Sequence, residues 1–381
     1  MDFSWTQQQK EIFDDVERFA SKELTYDLIE NDRNCLFNLD GWKKCGEFGI
    51  QGLSVPEEYG GLGLEPLTTV GALERLGYAC RDNGLVFSLN AHMWTACMPL
   101  VAFGTEEQKR RWLPGLCNGD LISANAMSEP DSGSDVYALR TTAVKNGDKY
   151  ILNGSKTFVT NGPVADVVVT FATVDKSKGL AGISAFIIEK SFNGFSVSKN
   201  KIEKMGLRTS PMNQMFFDDC EVPEANRLGP EGAGASLFTH SMTWERGCIL
   251  ASAVGSMRRL LETCIRYATV RKQFGQPISK FQLVASKIVD IKLRLETARY
   301  MLYNSAYQIG IGRSAIMEAA LAKLHISECW IKCCEDAIQI HGGYGYMVEY
   351  EIERELRDAL GSRLYSGTNE IQRNLIASLL L

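Results

Sequence analysis

The stretch Val167-Val168-Val169-Thr170-Phe171, followed by Ile183-Ser184-Ala185-Phe186-Ile187-Ile188, decides the fold. Both runs are short and rich in β-branched and aromatic residues, and Gly, Asn and Asp punctuate the sequence around them, a combination typical of strands. Similar runs occur at Lys149-Tyr150-Ile151-Leu152 and Gln214-Met215-Phe216-Phe217. These four runs predict a small antiparallel β domain in the middle of the chain, which we assign to residues 121–229.

The sequence on both sides of this domain has a helical period instead. In residues 7–24 the apolar side chains recur three or four positions apart and form one stripe. A second stripe runs from Ile249 to Ile265, and three further helical stretches follow it. Four helices of this kind suggest a bundle. We therefore expect an α+β protein, with an N-terminal helical domain over residues 1–120 and a C-terminal four-helix bundle over residues 230–381.

Composition excludes several classes of protein. The chain has 381 residues and a net charge of −5, which argues against a global attraction to nucleic acid or to an anionic membrane. No apolar run approaches the roughly 20 residues that span a bilayer, and the start of the chain lacks the pattern of a secretory signal. The eleven cysteines are irregularly spaced, which favours buried reduced thiols over a metal site. A cytoplasmic protein is expected.

Six separated motifs give the chain a family resemblance. In chain order they are Ser128-Glu129-Pro130-Asp131-Ser132-Gly133-Ser134-Asp135, Phe158-Val159-Thr160-Asn161-Gly162, Lys204-Met205-Gly206-Leu207-Arg208, Arg271-Lys272-Gln273-Phe274-Gly275, Gln339-Ile340-His341-Gly342-Gly343-Tyr344-Gly345 and Tyr365-Ser366-Gly367-Thr368. Together they resemble the acyl-CoA dehydrogenase superfamily along essentially the whole chain. The resemblance implies the helical–β–helical fold described above, a homotetramer, and FAD bound between the β domain and the C-terminal bundle, reaching a neighbouring subunit.

Four residues of the middle domain suit a flavin. The Ser128 hydroxyl can hydrogen-bond the polar edge of the isoalloxazine ring, and Ser134 lies in a Gly-containing loop that can offer donors to a pyrophosphate. Phe158 can pack against the ring, where the family more often has Trp, and Thr160 can hydrogen-bond near N5. Each feature alone is common in β domains, so the assignment depends on their family order.

Further FAD contacts are implied in the C-terminal part. Arg271 and Phe274 resemble the residues that reach the FAD of a partner subunit, and a guanidinium matches phosphate with its fork of donors. Solvated helix residues are the alternative for Arg271 and Gln282. The remaining implied contacts are with the adenine and ribose, or near the end of the chain: Gln282, Gln339, Gly342, Gly343, Thr368 and Glu370.

The terminal motif departs from the family at the position that matters most for catalysis. Most members have a glutamate base between the Tyr and the Gly, and this chain has Ser366, whose hydroxyl is too weak a base to remove a proton alpha to a thioester. A minority branch carries its glutamate at the start of a Glu-Arg pair on another helix, which Glu245 and Arg246 resemble. A solvated salt-bridging face is the alternative for such a pair. The apolar neighbours of Glu245 favour a partly buried base.

Finer matching points to the substrate. The stretches Cys80–Phe87 and Asn226–Gly234 resemble flavoproteins that oxidise a prolyl group tethered to a peptidyl carrier protein by phosphopantetheine. In the implied reaction Glu245 takes the alpha proton, a hydride goes to flavin N5, and a pyrroline or pyrrole acyl group results. The alternative is a short- or branched-chain acyl-CoA dehydrogenase. A DNA-binding relative without activity is disfavoured because residues 374–381 carry no charge.

Overall fold

The structure, a computed structural model, describes residues 4–200 and 202–381, so the first three residues of the N-terminal segment considered above lie outside it. Two of the helices that precede the sheet begin with a threonine N-cap. Thr6 and Thr105 each accept a hydrogen bond from the backbone N–H three residues later and start a capping box. The helices before the sheet are α1 (Gln7–Glu23), α2 (Leu28–Asn34), α3 (Leu39–Phe48), α4 (Pro66–Ala79), α5 (Asn83–His92), α6 (Met98–Phe103) and α7 (Glu106–Cys117).

One segment of these helices corrects an expectation from the sequence. Helix α5, a π-helical turn at Met93–Cys97 and α6 form a continuous stretch, Asn83–Phe103, that has the length and composition of a membrane span. The expectation that no segment reaches that length was wrong, because isolated polar residues such as Asn90 interrupt the apolar run without lowering its average enough. In the fold, 78% of the most apolar window is buried inside the protein, as in a core helix.

The middle of the chain is a mixed sheet. The strands are β1 (Ser123–Ala126), β2 (Thr142–Asn146), β3 (Lys149–Thr160), β4 (Val167–Thr173), β5 (Ile183–Glu189), β6 (Phe195–Val197), β7 (Met212–Pro223) and β8 (Arg227–Leu228). They follow the order β6-β7-β3-β2-β4-β5-β8, and β1 pairs with β4. Most pairs are antiparallel, as expected, but β1 is parallel to β4 and β2 meets β4 in parallel at one position. The sheet is therefore not wholly antiparallel, because β1 enters from the helical domain alongside β4.

The C-terminal part returns to helices, which confirms the predicted order of the fold. Within residues 202–381 there are six of them and not four, since a separate helix precedes the predicted stripe and another closes the chain. They are α8 (Gly234–Cys248), α9 (Ala251–Val270), α10 (Gln282–Gly310), α11 (Ile316–His341), α12 (Ile352–Gly361) and α13 (Asn369–Leu380), and a short hairpin of β9 (Lys272–Gln273) and β10 (Gln276–Pro277) follows α9.

The two helical regions share one core. Helix α4 lies so close to α9 that a Cβ on Gly255 would stand 2.0 Å from the carbonyl oxygen of Glu74. Buried apolar residues of both regions belong to the same cluster, among them Trp42, Leu73, Val254 and Ile331. The N-terminal helices are therefore packed as part of the framework that holds the C-terminal site residues. All eleven cysteines are free thiols, as predicted, and ten of them are buried.

Candidate active site

The carboxylate of Glu245 is buried at the junction of α8 and the terminal motif. Its residue is 7% exposed. Oε1 accepts a hydrogen bond of 2.7 Å from the Ser366 hydroxyl. Burial raises the pKa of Glu245, while the Ser366 hydrogen bond and the charges of Arg246 and Lys323 oppose the rise. The result is a carboxylate whose pKa lies above the ordinary value for glutamate, as a general base at moderate pH requires.

The residue that contacts Glu245 lies in an unusual turn. Ser366 has φ of 59° and Gly367 has φ of 84°, so both residues are in the left-handed region. The Ser366 carbonyl accepts a hydrogen bond from Arg246 Nε at 3.0 Å and a second from Gln372 Nε2 at 3.1 Å. Gln372 Nε2 also reaches the Gly367 carbonyl at 3.0 Å. Side chains of α8 and α13 therefore hold the turn on its carbonyl side.

A buried polar network extends from this turn to α11. Lys323 is fully buried, and its Nζ donates to Asn369 Oδ1 at 2.8 Å. Asn369 in turn donates to Ser327 Oγ at 2.9 Å and to Glu328 Oε1 at 2.8 Å. Burial, with the neighbouring charge of Arg246, lowers the pKa of Lys323 to about 7. The start of α13 is thus fixed to α11 directly behind the Ser366 turn.

The loop after β1 is organised by one carboxylate. Glu129 accepts from the backbone N–H groups of Arg140 at 2.6 Å and of Thr141 at 3.0 Å. It also accepts from the Thr141 hydroxyl and, at 2.8 Å, from Lys156 Nζ. Lys156 donates as well to the Met127 carbonyl at 3.1 Å. This cluster fixes the start of the segment from Ser128 to Ser134 through Glu129 and leaves Ser134 exposed.

The end of β3 presents an aromatic ring to solvent. Phe158 has φ of 56° and is 66% exposed, whereas Thr157 and Val159 on either side are buried. Left-handed backbone is costly for an aromatic residue, which marks the position as a candidate functional one. The backbone N–H of Thr157 donates to the Ser128 carbonyl at 2.9 Å, so Phe158 lies next to the start of the Ser128 loop.

Helix α5 connects this strand end with the terminal turn. Asn161 Nδ2 donates to the Ser88 carbonyl of α5 at 3.0 Å. The neighbouring Phe87 ring contacts the Tyr365 ring at a centroid distance of 4.6 Å. Short contacts therefore lead from the residue beside Thr160, across α5, to the residue beside Ser366. The fold brings the predicted flavin-ring residues and the candidate base to the same junction of the three regions.

The second group of predicted cofactor residues gathers at a different place, around the β9–β10 hairpin. Phe274 is 93% exposed with φ of 49°, and its ring lies 6.0 Å from Phe281, the residue before Gln282. The Arg271 guanidinium lies over the Tyr344 ring at 5.6 Å, which joins the hairpin to the turn after α11. Of the predicted residues, Gln339 lies in the last turn of α11, Gly342 and Gly343 lie in the turn that follows it, and all three are exposed.

Three family profiles match nearly the whole chain. They are the acyl-CoA dehydrogenase N-terminal domain over residues 6–120, the middle domain over 124–220 and the C-terminal domain over 232–381. The chain belongs to the acyl-CoA dehydrogenase family. The resemblance inferred from the six motifs is therefore confirmed.

Some members of this family are similar to the chain from end to end. An L-prolyl-[peptidyl-carrier protein] dehydrogenase of Pseudomonas fluorescens is 42% identical over 378 residues, covering 99% of this chain and 99% of the relative. The crystal structure of the prolyl acyl carrier protein oxidase AnaB is 54% identical, covers 99% of this chain and 100% of AnaB, and superposes with a TM-score of 0.98. The structure of PigA with FAD and proline is 41% identical, covers 100% of this chain and 99% of PigA, and has a TM-score of 0.97.

Several supporting residues of this acyl-CoA dehydrogenase site were missed from the sequence. Arg246 was noted only as the partner of a Glu-Arg pair, and Gln372, Lys323 and Lys156 were not singled out. A lysine within an apolar helix or strand is the one signal that could have identified the last two. His92 is fully buried, and its two ring nitrogens contact the Leu116 carbonyl and Ser123, as expected of a hydrogen-bonded core residue.

Proposed function

We propose that this protein is an FAD-dependent dehydrogenase or oxidase of a prolyl thioester carried on the phosphopantetheine arm of a carrier protein. The observation that carries the proposal is the Glu245–Ser366 pair. A buried carboxylate on α8 lies 2.7 Å from the hydroxyl at the position where most family members have their base. The similarity to prolyl-carrier-protein dehydrogenases and to AnaB supports the prolyl group as substrate.

The chain's own residues fit FAD. Two exposed aromatic rings, Phe158 and Phe274, are held in left-handed backbone, and neither is covered by the protein. A Cβ on Gly342 or Gly343 would meet nothing within 4 Å, so both sites leave room for a ligand close to the backbone. Ser128, Phe158 and Thr160 are proposed to contact the flavin ring and Ser134 the pyrophosphate, with Thr368 and Glu370 as further FAD contacts. Arg271 and Phe274 are proposed to reach the FAD of a partner subunit. The adenine and ribose contacts are proposed to be Gln282, Gln339, Gly342 and Gly343.

In the proposed mechanism this chain supplies the base that takes the alpha proton and a hydrogen-bond donor to the thioester carbonyl. Glu245 removes the alpha proton of the thioester and is neutralised by it. The backbone N–H of Ser366 is placed by its fixed turn to donate to the thioester carbonyl, which stabilises the developing enolate. FAD, when bound, supplies the hydride acceptor. The packing of α4 on α9 and the contact of Phe87 on α5 with Tyr365 support the positions of Glu245 and the Ser366 turn.

The partner and the assembly follow from the same proposal. The acyl group arrives on an acyl or peptidyl carrier protein, and the product is a pyrroline or pyrrole acyl thioester for natural-product biosynthesis. The assembly expected from the family is a homotetramer, and a dimer would complete a shared FAD site too, since Arg271 and Phe274 are the residues proposed to reach a partner's FAD. We assign residues 1–120, 121–229 and 230–381 as the three domains and the cytoplasm as the location.

The decisive experiment uses purified protein, prolyl-loaded carrier protein and air, and follows the mass of the acyl group. We expect the wild-type protein to remove one or two pairs of hydrogen atoms. In Glu245→Gln the rate should fall roughly 100- to 10,000-fold, the usual contribution of a general base. Glu335→Gln, which changes an exposed glutamate on α11, is the matched control and should keep wild-type activity.

Two results would contradict the proposal. Unchanged prolyl carrier, together with flavin bleaching by a short acyl-CoA, would make the protein an acyl-CoA dehydrogenase. Full activity of Glu245→Gln would remove Glu245 as the base, whatever the substrate. Repeating the reaction with an electron-transferring flavoprotein in place of air identifies the electron acceptor.

A further inference from the structure

Two adjacent residues of α8 hold Ser366 from opposite sides. Glu245 accepts a hydrogen bond from its side chain at 2.7 Å, and Arg246 donates to its carbonyl at 3.0 Å. Gln372 supplies a second donor to the same carbonyl at 3.1 Å. One residue of the terminal motif therefore receives three side-chain contacts, and the only one that its hydroxyl makes is with the proposed base.

The left-handed backbone of Ser366 indicates that its side chain has a role of its own. A φ of 59° is readily adopted by glycine and is disfavoured for serine. If the turn alone mattered, glycine would serve better at this position, as it does at Gly367 with φ of 84°. The serine therefore contributes through its hydroxyl, and the hydroxyl is directed at Glu245.

We propose that Ser366 is a positioning residue for Glu245, an inference that depends on the proposed role of Glu245 as the base. The Ser366 hydroxyl engages Oε1 and leaves Oε2 as the oxygen that receives the alpha proton. When that proton bonds to Oε2, the C–H bond breaks and the carboxylate becomes a neutral acid. The carboxylate cannot rotate away from this orientation without breaking this partly buried hydrogen bond.

The Ser366 hydroxyl also stabilises the charged form of Glu245, which burial disfavours. A hydrogen bond to the charged form lowers the pKa of a carboxyl group, whereas burial raises it. The charged and titratable groups that face Glu245 are Arg246 on α8, Lys323 on α11 and Tyr365 in the turn, and a substitution at Ser366 replaces none of them. A change in the titration of the base on removal of the hydroxyl is then attributable to Ser366.

The test compares three substitutions, Ser366→Ala, Ser366→Gly and Ser366→Thr, by the pH dependence of flavin reduction in single turnover. Ala and Gly both lack the hydroxyl, and Gly also relieves the backbone strain. We expect both to move the acidic limb of the rate profile upward by about one pH unit, because a lost bond to the charged form raises the pKa of the base. The plateau should fall about 10-fold or more as orientation is lost. Thr retains the hydroxyl and should keep the wild-type limb, at a cost in stability because a β-branched residue is strongly disfavoured at φ of 59°.

A second measurement needs neither substrate nor turnover. The thermal unfolding midpoints of Ser366→Ala, Glu245→Ala and the double variant form a cycle, and the double variant should lose less than the sum of the single losses. Additive losses, or an acidic limb at the wild-type pH in both Ala and Gly variants, would overturn the proposal. A plateau loss that follows only the bound FAD content would do the same.

The outcome is separable from that of the proposed function. The rates are measured with whichever thioester reduces the wild-type flavin, prolyl carrier or short acyl-CoA. Failure of prolyl carrier alone would correct the substrate and leave the role of Ser366 open to the same test with acyl-CoA. Normal oxidation of prolyl carrier with unshifted variants would reject the positioning role and retain the function.

Discussion

Replacing Lys156 with Met tests whether the Glu129 cluster holds the proposed cofactor loop. The Lys156 side chain is 0% exposed and that of Glu129 is 5% exposed, with 2.8 Å between Nζ and Oε1. Removing one partner of a buried ion pair costs about 3–5 kcal/mol, because the remaining charge loses its compensation. Glu129 keeps three other donors, from Arg140 and Thr141, so we expect the lower end, about 3 kcal/mol.

The assay is thermal unfolding, with bound FAD measured in parallel. In a chain of 381 residues, a loss of that size should lower the unfolding midpoint by about 4 °C, and the bound FAD should decrease because the segment from Ser128 to Ser134 loses its anchor. Lys145→Met is the matched control. That lysine also lies 2.8 Å from a carboxylate, Glu224, but its side chain is 48% exposed, so the change should leave the unfolding midpoint close to that of wild type. Equal midpoints for the two variants would refute the argument from burial.

Two further predictions concern stability. Burial raises the pKa of Glu245 above its usual 4.5, so the folded state holds the proton more tightly than the unfolded chain and stability falls as the pH rises through the folded pKa. Glu245→Gln should therefore unfold at a higher temperature than wild type at pH near 8 and at the same temperature near pH 4, and calorimetry showing a constant gap would contradict this. Gly255→Ala should cost about 1–3 kcal/mol, since its Cβ would lie 2.0 Å from the Glu74 carbonyl. The control Gly133→Ala, which meets nothing within 4 Å, should unfold as wild type does in the same denaturation experiment.

The order of the fold could be predicted because periodicity is local. Runs such as Val167–Phe171 became β4, and the stripe from Ile249 to Ile265 lies within the helical region that contains α9. The parallel pairing of β1 with β4 could not be predicted, because strand direction depends on how a chain enters the sheet and not on the composition of the strand. The count of C-terminal helices failed for a similar reason. Helix α8 ends near Cys248 and α9 starts at Ala251, with no proline or glycine between them to mark the break.

In the candidate site, too, features encoded by a short stretch of sequence could be predicted and long-range contacts could not. The left-handed positions at Phe158 and Phe274 fall within motifs that the sequence singled out, although their backbone strain was not foreseen. Contacts between residues far apart in the chain, such as that of Arg246 with Ser366, could not be predicted, because the sequence around each residue does not indicate its partner. Burial of Glu245 was inferred from its apolar neighbours, and the structure agrees.

The location of the carboxylate on α8 has a structural consequence for the terminal motif. The direction of a base attached at residue 366 would depend on a left-handed backbone, whose carbonyl groups are held by the side chains of Arg246 and Gln372. A base on α8 instead starts from a helix whose ladder of hydrogen bonds fixes the Cα position. The turn then needs to supply only a hydroxyl and a backbone N–H. Serine provides both within one residue, so the proposed base can lie on α8 while residue 366 keeps a part in the proposed site.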